Sequence, residues 1–353
     1  MSDISKVDKN FSVKNTFNKP DLKLYDVRLE PFVVYGLQYE NGKFRRMPEE
    51  VAKSVSEGMY LLHSNTAGGR VRFKTDSAYV SVHAKMPQIC RVSHFSLTGT
   101  ASFDLYERVD GEERYRKTFV PPYDMRDGYE SLNECGKGGM REYTLYFPLY
   151  SDVSEVYIGL QENATVEAPS PYRLDVPIVY YGSSITQGGC ASRAGMCYEN
   201  IISRRLHVDH HNLGFSGNAK AEEEMIDYIN SLKMSVFVYD YDHNADSPEY
   251  LAATHEKMFK AVRAAHPTLP IVMMSSPQFY VDEYWKKRRE IIEATYKNAK
   301  AAGDENVYYI PGYKLMALAK DEGTVDGCHP TDLGFVSMAK AVGDLLEKMI
   351  STL

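Results

Sequence analysis

Four short blocks in the second half of this chain carry the residue types that acyl transfer needs. The first reads Tyr181-Gly182-Ser183-Ser184-Ile185-Thr186-Gln187-Gly188. A serine at a tight strand-to-helix turn has its hydroxyl lifted out at the sheet edge, where it can attack a carbonyl. The N-terminus of the following helix favours the negative charge that then develops. The second block, Asn212-Leu213-Gly214-Phe215-Ser216-Gly217-Asn218, is rich in small residues, and Gly217 can offer a backbone N–H to an oxyanion hole. The third, Asp240-Tyr241-Asp242-His243-Asn244-Ala245, offers the side-chain amide of Asn244 to the same hole. The fourth, Asp326-Gly327-Cys328-His329-Pro330, sets an acid and a base three residues apart. At that spacing a carboxylate can accept from one imidazole nitrogen and leave the other to take a proton from a serine.

Each block alone has a plainer reading: a Gly-Ser-Ser turn, a left-handed turn at Gly217, an Asx turn at Asn244, a helix cap at Asp326 and His329. Together they supply nucleophile, oxyanion donors and acid–base pair in the order Ser…Asp…His. The first block is not a G-x-S-x-G elbow, because Thr186 takes the last glycine position, and no Gly-Lys-Ser/Thr follows to make a phosphate loop. The acids and His243 of the third block do not complete a metal-ligand spacing.

These blocks need a scaffold that brings them to one edge. From about residue 174 onward, short apolar runs alternate with helical stretches: strands at 177–181, 208–213, 235–239, 271–274 and 307–310, with helices at 248–265, 282–301 and 331–349. Repeated βα units imply a parallel sheet of about five strands covered on both faces, with its site at the carboxyl ends of the strands. The first half alternates with period two, as at 70–75, 78–84, 101–109, 113–120, 142–147 and 155–160. Asp110-Gly111 and Asn41-Gly42 are hairpin turns. About eight strands, interrupted by one helix near 48–57, predict a β-sandwich, jelly-roll-like, over residues 1–170. A Pro-rich join at 167–172 then leads into an α/β domain over residues 171–353.

Composition narrows the function. The 353 residues carry a net charge of −7, which gives no bulk electrostatic grip on nucleic acid or on an anionic membrane. No apolar run is long enough for a spanning helix. The opening Met1-Ser2-Asp3-Ile4-Ser5-Lys6 is polar and lacks the apolar heart of a secretory leader. Five cysteines without a C-x-x-C pair argue against a disulfide framework and a structural zinc. The expectation is a cytoplasmic protein with free thiols. His207, Asp209, His210 and His211 resemble a ligand cluster, but strand alternation points neighbours to opposite faces.

The four blocks resemble those of the SGNH, or GDSL, hydrolase superfamily, over roughly residue 174 to the end. Two departures stand out: Ser183 occupies the usual Asp position of the first block, and the third lacks the common Gly-x-Asn-Asp form. Ser102-Phe103-Asp104-Leu105-Tyr106 is similar to the Gly-x-Asp-Leu-Tyr signature of a β-sandwich found ahead of some bacterial SGNH esterases, with Ser102 in the glycine position. The resemblance implies a three-layer αβα hydrolase domain with Ser184 as nucleophile, His329 as general base and Asp326 orienting it. It implies an oxyanion hole from the Ser184 and Gly217 N–H groups and the Asn244 side chain, with no cofactor and no metal. Two-domain proteins of this kind are similar to carbohydrate esterases that deacetylate plant glycans such as xylan and mannan. The expected partner is therefore an acetylated oligosaccharide, met by Trp285, Tyr241 and Asp242, with homo-oligomerisation left open. The rival readings are a lipase or lysophospholipase, a sugar-binding protein without activity, and acetyl transfer to a second sugar.

Overall fold

The structure is a computed structural model that describes residues 7–8 and 17–351. Most of the polar N-terminal run read above for a leader lies outside the described residues. In chain order, β1 (Leu22–Asp26), β2 (Val33–Tyr35), β3 (Gln38–Glu40) and β4 (Lys43–Arg45) lead into α1 (Glu49–Val55) and α2 (Glu57–Leu62). Then come β5 (Arg70–Thr75), β6 (Tyr79–Lys85), α3 (Leu97–Ala101), β7 (Phe103–Val109) and β8 (Glu112–Phe119). β9 (Gly128–Glu134), β10 (Arg141–Tyr146), β11 (Glu155–Gln161) and β12 (Val166–Glu167) complete the first half.

These strands form two antiparallel sheets, ordered β1-β11-β6-β9 and β12-β5-β10-β7-β8, with β2 also paired to β5. The alternation seen in the sequence is the reason they close on each other. Val80, Val82, Ile158 and Leu160 of one sheet share a core with Val71, Phe73, Leu105 and Leu145 of the other. Asn41-Gly42 (φ 48° and 76°) and Asp110-Gly111 (φ 54° and 86°) turn the β3–β4 and β7–β8 hairpins in the left-handed region, as expected. The expectation of about eight strands and one helix falls short of the twelve strands and three helices observed among the described residues. The helical stretch near 48–57 breaks at Ser56, whose extended backbone ends α1 while its hydroxyl accepts from Met59 N and caps α2. Ala101 closes α3 instead of opening a strand.

The second half runs β13 (Ile178–Gly182), α4 (Ser184–Gln187), α5 (Tyr198–Leu206), β14 (His210–Gly214), α6 (Glu223–Ser231), β15 (Val236–Asp240) and α7 (Pro248–Ala265). It continues with β16 (Ile271–Met274), α8 (Glu283–Ala301), β17 (Val307–Ile310), α9 (Gly312–Leu315) and α10 (Asp332–Ile350). The five strands are parallel, in the order β14-β13-β15-β16-β17. Successive side chains go to opposite faces. Val179, Tyr181, Phe237, Tyr239 and Ile271 pack against α6, α7 and α8, while Ile178, Tyr180, Val236, Val238 and Val272 pack against α5 and α10. This is the three-layer αβα arrangement. β14 lies on one side of β13 and β15, next in the chain, on the other, so the direction of winding reverses there and the loops diverge at the carboxyl ends. No helix among the described residues is long and apolar enough to cross a membrane.

Candidate active site

Ser184 sits where β13 gives way to α4. The Ser183 hydroxyl accepts from Ile185 N at 3.1 Å and caps the helix, and Gly188 (φ 96°) ends it one turn later. The turn is pinned from below, because Thr186 Oγ1 donates to Asp240 Oδ1 at the end of the neighbouring β15. Ser184 Oγ lies 2.9 Å from His329 Nε2. His329 Nδ1 lies 2.7 Å from Asp326 Oδ2. A carboxylate can only accept, so the imidazole proton belongs on Nδ1, and Nε2 accepts from the serine hydroxyl.

The short spacing of the acid and base reflects a tight turn at Gly327 (φ 83°). Asp326 Oδ1 accepts from the backbone N–H of His329 at 2.7 Å and of Cys328 at 3.0 Å, folding the loop onto its own carboxylate. Partial burial pushes the Asp326 carboxyl up, but these two N–H donors and the imidazole outweigh it and hold it down at about 2. The neighbouring thiols behave oppositely: burial first, then the Asp326 charge, pushes Cys190 and Cys328 up to about 12. They are thiols at neutral pH, not competing nucleophiles.

Among the described residues, the backbone N–H groups of Ser184 and Gly217 donate to no other protein group. Asn244 follows β15 in a short 3-10 turn, and its Nδ2 donates to Phe215 O at 2.8 Å. That bond uses one amide proton and ties the third block to the second; the other proton stays available. Tyr241 and Asp242 need correction. The 3-10 turn rolls both inward. Tyr241 is 1% exposed and its hydroxyl pairs with Thr254 Oγ1 at 2.8 Å. Asp242 is 1% exposed, and its Oδ2 accepts from Ser276 N at 2.8 Å. Neither can meet a substrate; Asp242 instead helps fix the turn, whose backbone carbonyls at Asp242 and Ala245 also receive the buried Arg288 guanidinium. Trp285 lies on the first turn of α8. It lines a depression of about 280 Å³ with Phe279, Tyr280, Lys320 and Gly327, beside the loop that carries Asp326. Its ring lies 4.6 Å from that of His243. The histidines at 207–211 disperse as alternation requires: His207 Nδ1 accepts from Arg108 at 2.7 Å, His211 bonds Arg46 O, and Asp209 pairs with Arg70.

Sequence reasoning missed the residues that the first half brings here. The Tyr150 hydroxyl donates to Ser184 O at 3.0 Å. The Phe95 ring packs edge-on against Tyr150, and 5.8 Å from His329. His94 Nε2 is 3.8 Å from Asp326 Oδ2. Residues 89–96 form no regular element, so no periodicity marked them. The seam extends below the site. Asn65 Oδ1 accepts from Gln187 Nε2 at 3.1 Å, and Gln187 Oε1 accepts from Ser216 N at 3.0 Å. The buried Arg46 donates to Gly214 O. Asp104, fully buried, accepts from Arg193 Nη1 at 2.5 Å and from Gly195 N at 2.8 Å.

Comparison with known proteins agrees with this layout. Residues 175–347 match the model described as the GDSL-like Lipase/Acylhydrolase family. Residues 22–166 match the model described as the N-terminus of Esterase_SGNH_hydro-type. The fold is similar to that of a putative GDSL-like lipase from Bacteroides ovatus ATCC 8483, 26% identical, with a TM-score of 0.83 over 94% of this chain and 98% of that one. It is also similar to the salicylyl-acyltransferase SsfX3 from a tetracycline biosynthetic pathway, at 19% identity and TM-score 0.74, covering 92% and 96% of the two chains. A third likeness is a family two carbohydrate esterase from Clostridium thermocellum in complex with cellohexaose, at 15% identity and TM-score 0.61, covering 91% and 100%. No curated protein matches the sequence.

Proposed function

Residues 175–347 belong to the GDSL-like lipase/acylhydrolase family and residues 22–166 are the N-terminal domain of SGNH-type esterases, and from that premise we propose that this enzyme is a serine esterase removing O-acetyl groups from xylan- or mannan-derived oligosaccharides. One observation carries the reading: the continuous hydrogen-bonded line from Ser184 Oγ through His329 to Asp326. As Ser184 Oγ attacks the acetyl carbonyl, His329 Nε2 takes its proton, and Asp326 stabilises the imidazolium. The tetrahedral oxyanion falls to the N–H groups of Ser184 and Gly217 and the second amide proton of Asn244; each such donor is worth about 10²–10³ in kcat. His329 then returns its proton to the departing sugar oxygen. Water, deprotonated by the same nitrogen, releases acetate from Ser184.

The sugar half of the reading is supported by the mixed lining of the depression at Trp285. Aromatic faces at Phe279, Tyr280 and Trp285 alternate there with Gln278, Asp282, Lys320 and Thr324. Rings of this kind stack on the apolar face of a sugar while polar groups meet its hydroxyls. The likeness to an esterase solved with cellohexaose points the same way for fold.

Hydrolysis of 4-nitrophenyl acetate by the protein and by Ser184→Ala tests the chemistry, with loss of at least about 10³-fold expected. Activity near wild type in the variant overturns the assignment. Mass-spectrometric deacetylation of defined acetylated xylo- and manno-oligosaccharides tests the substrate class. A preference for long-chain esters, or transfer of the acetyl group to an added acceptor instead of water, would replace it with a lipase or an acyltransferase.

A further inference from the structure

The first half of the chain carries one more ligand-bearing side chain to the serine. One donor atom each from His94, Cys190 and His329 lies within 4.8 Å of the others. The His94 and His329 rings stand 5.8 Å apart, and the Asp326 carboxylate lies 3.8 Å from His94 Nε2. We propose that His94, Cys190 and His329 form a Zn²⁺ site, and that its occupancy switches the enzyme off by withdrawing the imidazole from Ser184.

The donor set selects the metal. Two imidazoles and a thiol suit a borderline-soft cation such as Zn²⁺, whereas Mg²⁺ and Ca²⁺ require oxygen ligands. The geometry is close to what that cation needs. Zn–N bonds of about 2.0–2.1 Å and a Zn–S bond of about 2.3 Å place tetrahedral donors roughly 3.3–3.8 Å apart. Donors within 4.8 Å must therefore draw in by about an ångström. His94 is the side chain free to do so, since it is 43% exposed and sits in a turn outside any helix or strand. Cys190 is held at φ 70°, a left-handed position where glycine would be cheaper, and the relay does not use it. His329 Nδ1 is engaged by Asp326, so Nε2 is the nitrogen left to bind a cation, and Nε2 is the atom that accepts from the serine.

The balance is simple. Cys190 releases its thiol proton to solvent as the Zn–S bond forms. His329 exchanges the Ser184 hydrogen bond for a Zn–N bond, and Ser184 keeps its proton with no base to take it. Asp326, already ionised beside the site, adds negative charge that favours the cation. Because His94 and Cys190 come from opposite sides of the seam, the ion would also staple the 89–96 loop over the serine. The inhibition rests on the esterase reading, whereas the site itself rests only on the three side chains.

The test uses the full chain and two probes. Titration with Co²⁺ should give one thiolate-to-cobalt charge-transfer band per chain in the near ultraviolet, absent from Cys190→Ser. Titration with Zn²⁺ should suppress acetyl ester hydrolysis and be reversed by a chelator. Cys190→Ser and His94→Gln should each weaken that inhibition at least about tenfold. Cys190→Ser should also keep its metal-free rate. A cobalt band that survives in Cys190→Ser, no band in the wild type, or equal Zn²⁺ sensitivity in all three proteins overturns the site. If the chain hydrolyses no ester at all, the cobalt titration still decides the site, and the failure falls on the proposed activity alone.

Discussion

Asp326 and Asp242 are both carboxylates near the relay, yet their surroundings drive them apart. Asp326 faces two backbone N–H groups and an imidazole and stays ionised to about pH 2. The acid limb of a pH–rate profile therefore belongs to other groups. Asp242 is buried, its Oδ1 has no hydrogen-bond partner among the described residues, and burial outweighs the Ser276 N–H and Arg288 to raise its pKa from 3.8 to about 6. Between those values the folded chain keeps a proton that the unfolded chain has lost, so this group makes stability fall as pH rises across that window. Asp242→Asn, which keeps an acceptor for Ser276 N, should remove that slope and leave the variant at least as stable as wild type at neutral pH. Denaturation midpoints at pH 4 and 7 check this; identical slopes in both proteins would sink it. The contrast explains what was legible at this scale. Ser184, Asp326 and His329 stood out because their chemistry is local, a turn or a three-residue spacing. Tyr241 and Asp242 were misjudged because a place at a strand end does not say which way a 3-10 turn rolls its side chains. His94 was invisible because its partner Asp326 lies 232 residues away along the chain.

Among elements, α4 is the one whose position matters most, and it rests on glycines. A Cβ at Gly214 would lie 2.2 Å from Gln187 N, and one at Gly182 would lie 2.3 Å from Thr186 Oγ1. The short helix bearing Ser184 can press onto β13 and β14 only because those side chains are absent. The clash at Gly214 is with backbone, so a rotamer change cannot relieve it. Gly214→Ala should cost about 1–3 kcal/mol or more and lower kcat/KM together with Tm, because relief requires moving α4. A Tm loss with kcat/KM intact would show that β14 yields instead. The βα alternation was readable because β13, β15 and β16 are short, mostly apolar runs buried on both faces, as at Ile271–Met274. In the sandwich, β9 escaped notice because Ser131 takes an inward position beside Tyr129 and breaks the apolar alternation. β1 escaped because it is an edge strand with Leu24 47% exposed.

For the whole molecule, the decisive feature is the polar seam between the halves. Asp104 lies in the Ser102–Tyr106 stretch that marks the sandwich in the sequence, yet its carboxylate serves the hydrolase half at Arg193 and Gly195, as well as Thr118 Oγ1 at 2.8 Å. Asp104→Ala would leave Gly195 N and Thr118 Oγ1 without this acceptor and Arg193 Nη1 with the Tyr106 hydroxyl alone. Breaking such a pair costs about 3–5 kcal/mol when fully buried, and somewhat less here because Arg193 is 22% exposed. The expected result is a clear drop in Tm with one cooperative transition retained; an unchanged Tm would show that water replaces the carboxylate freely. The motif was legible as a signature, but its partners were not, since contacts across a seam leave no periodicity in either segment. The same seam bears on how such a chain can change by descent. Recombination that replaced the first half with an unrelated β-domain would strip Arg193 of Asp104, Gln187 Nε2 of Asn65 and the Ser184 carbonyl of the Tyr150 hydroxyl in a single event. Exchange of one half alone would thus break these contacts together, whereas point changes along the rim would leave them in place.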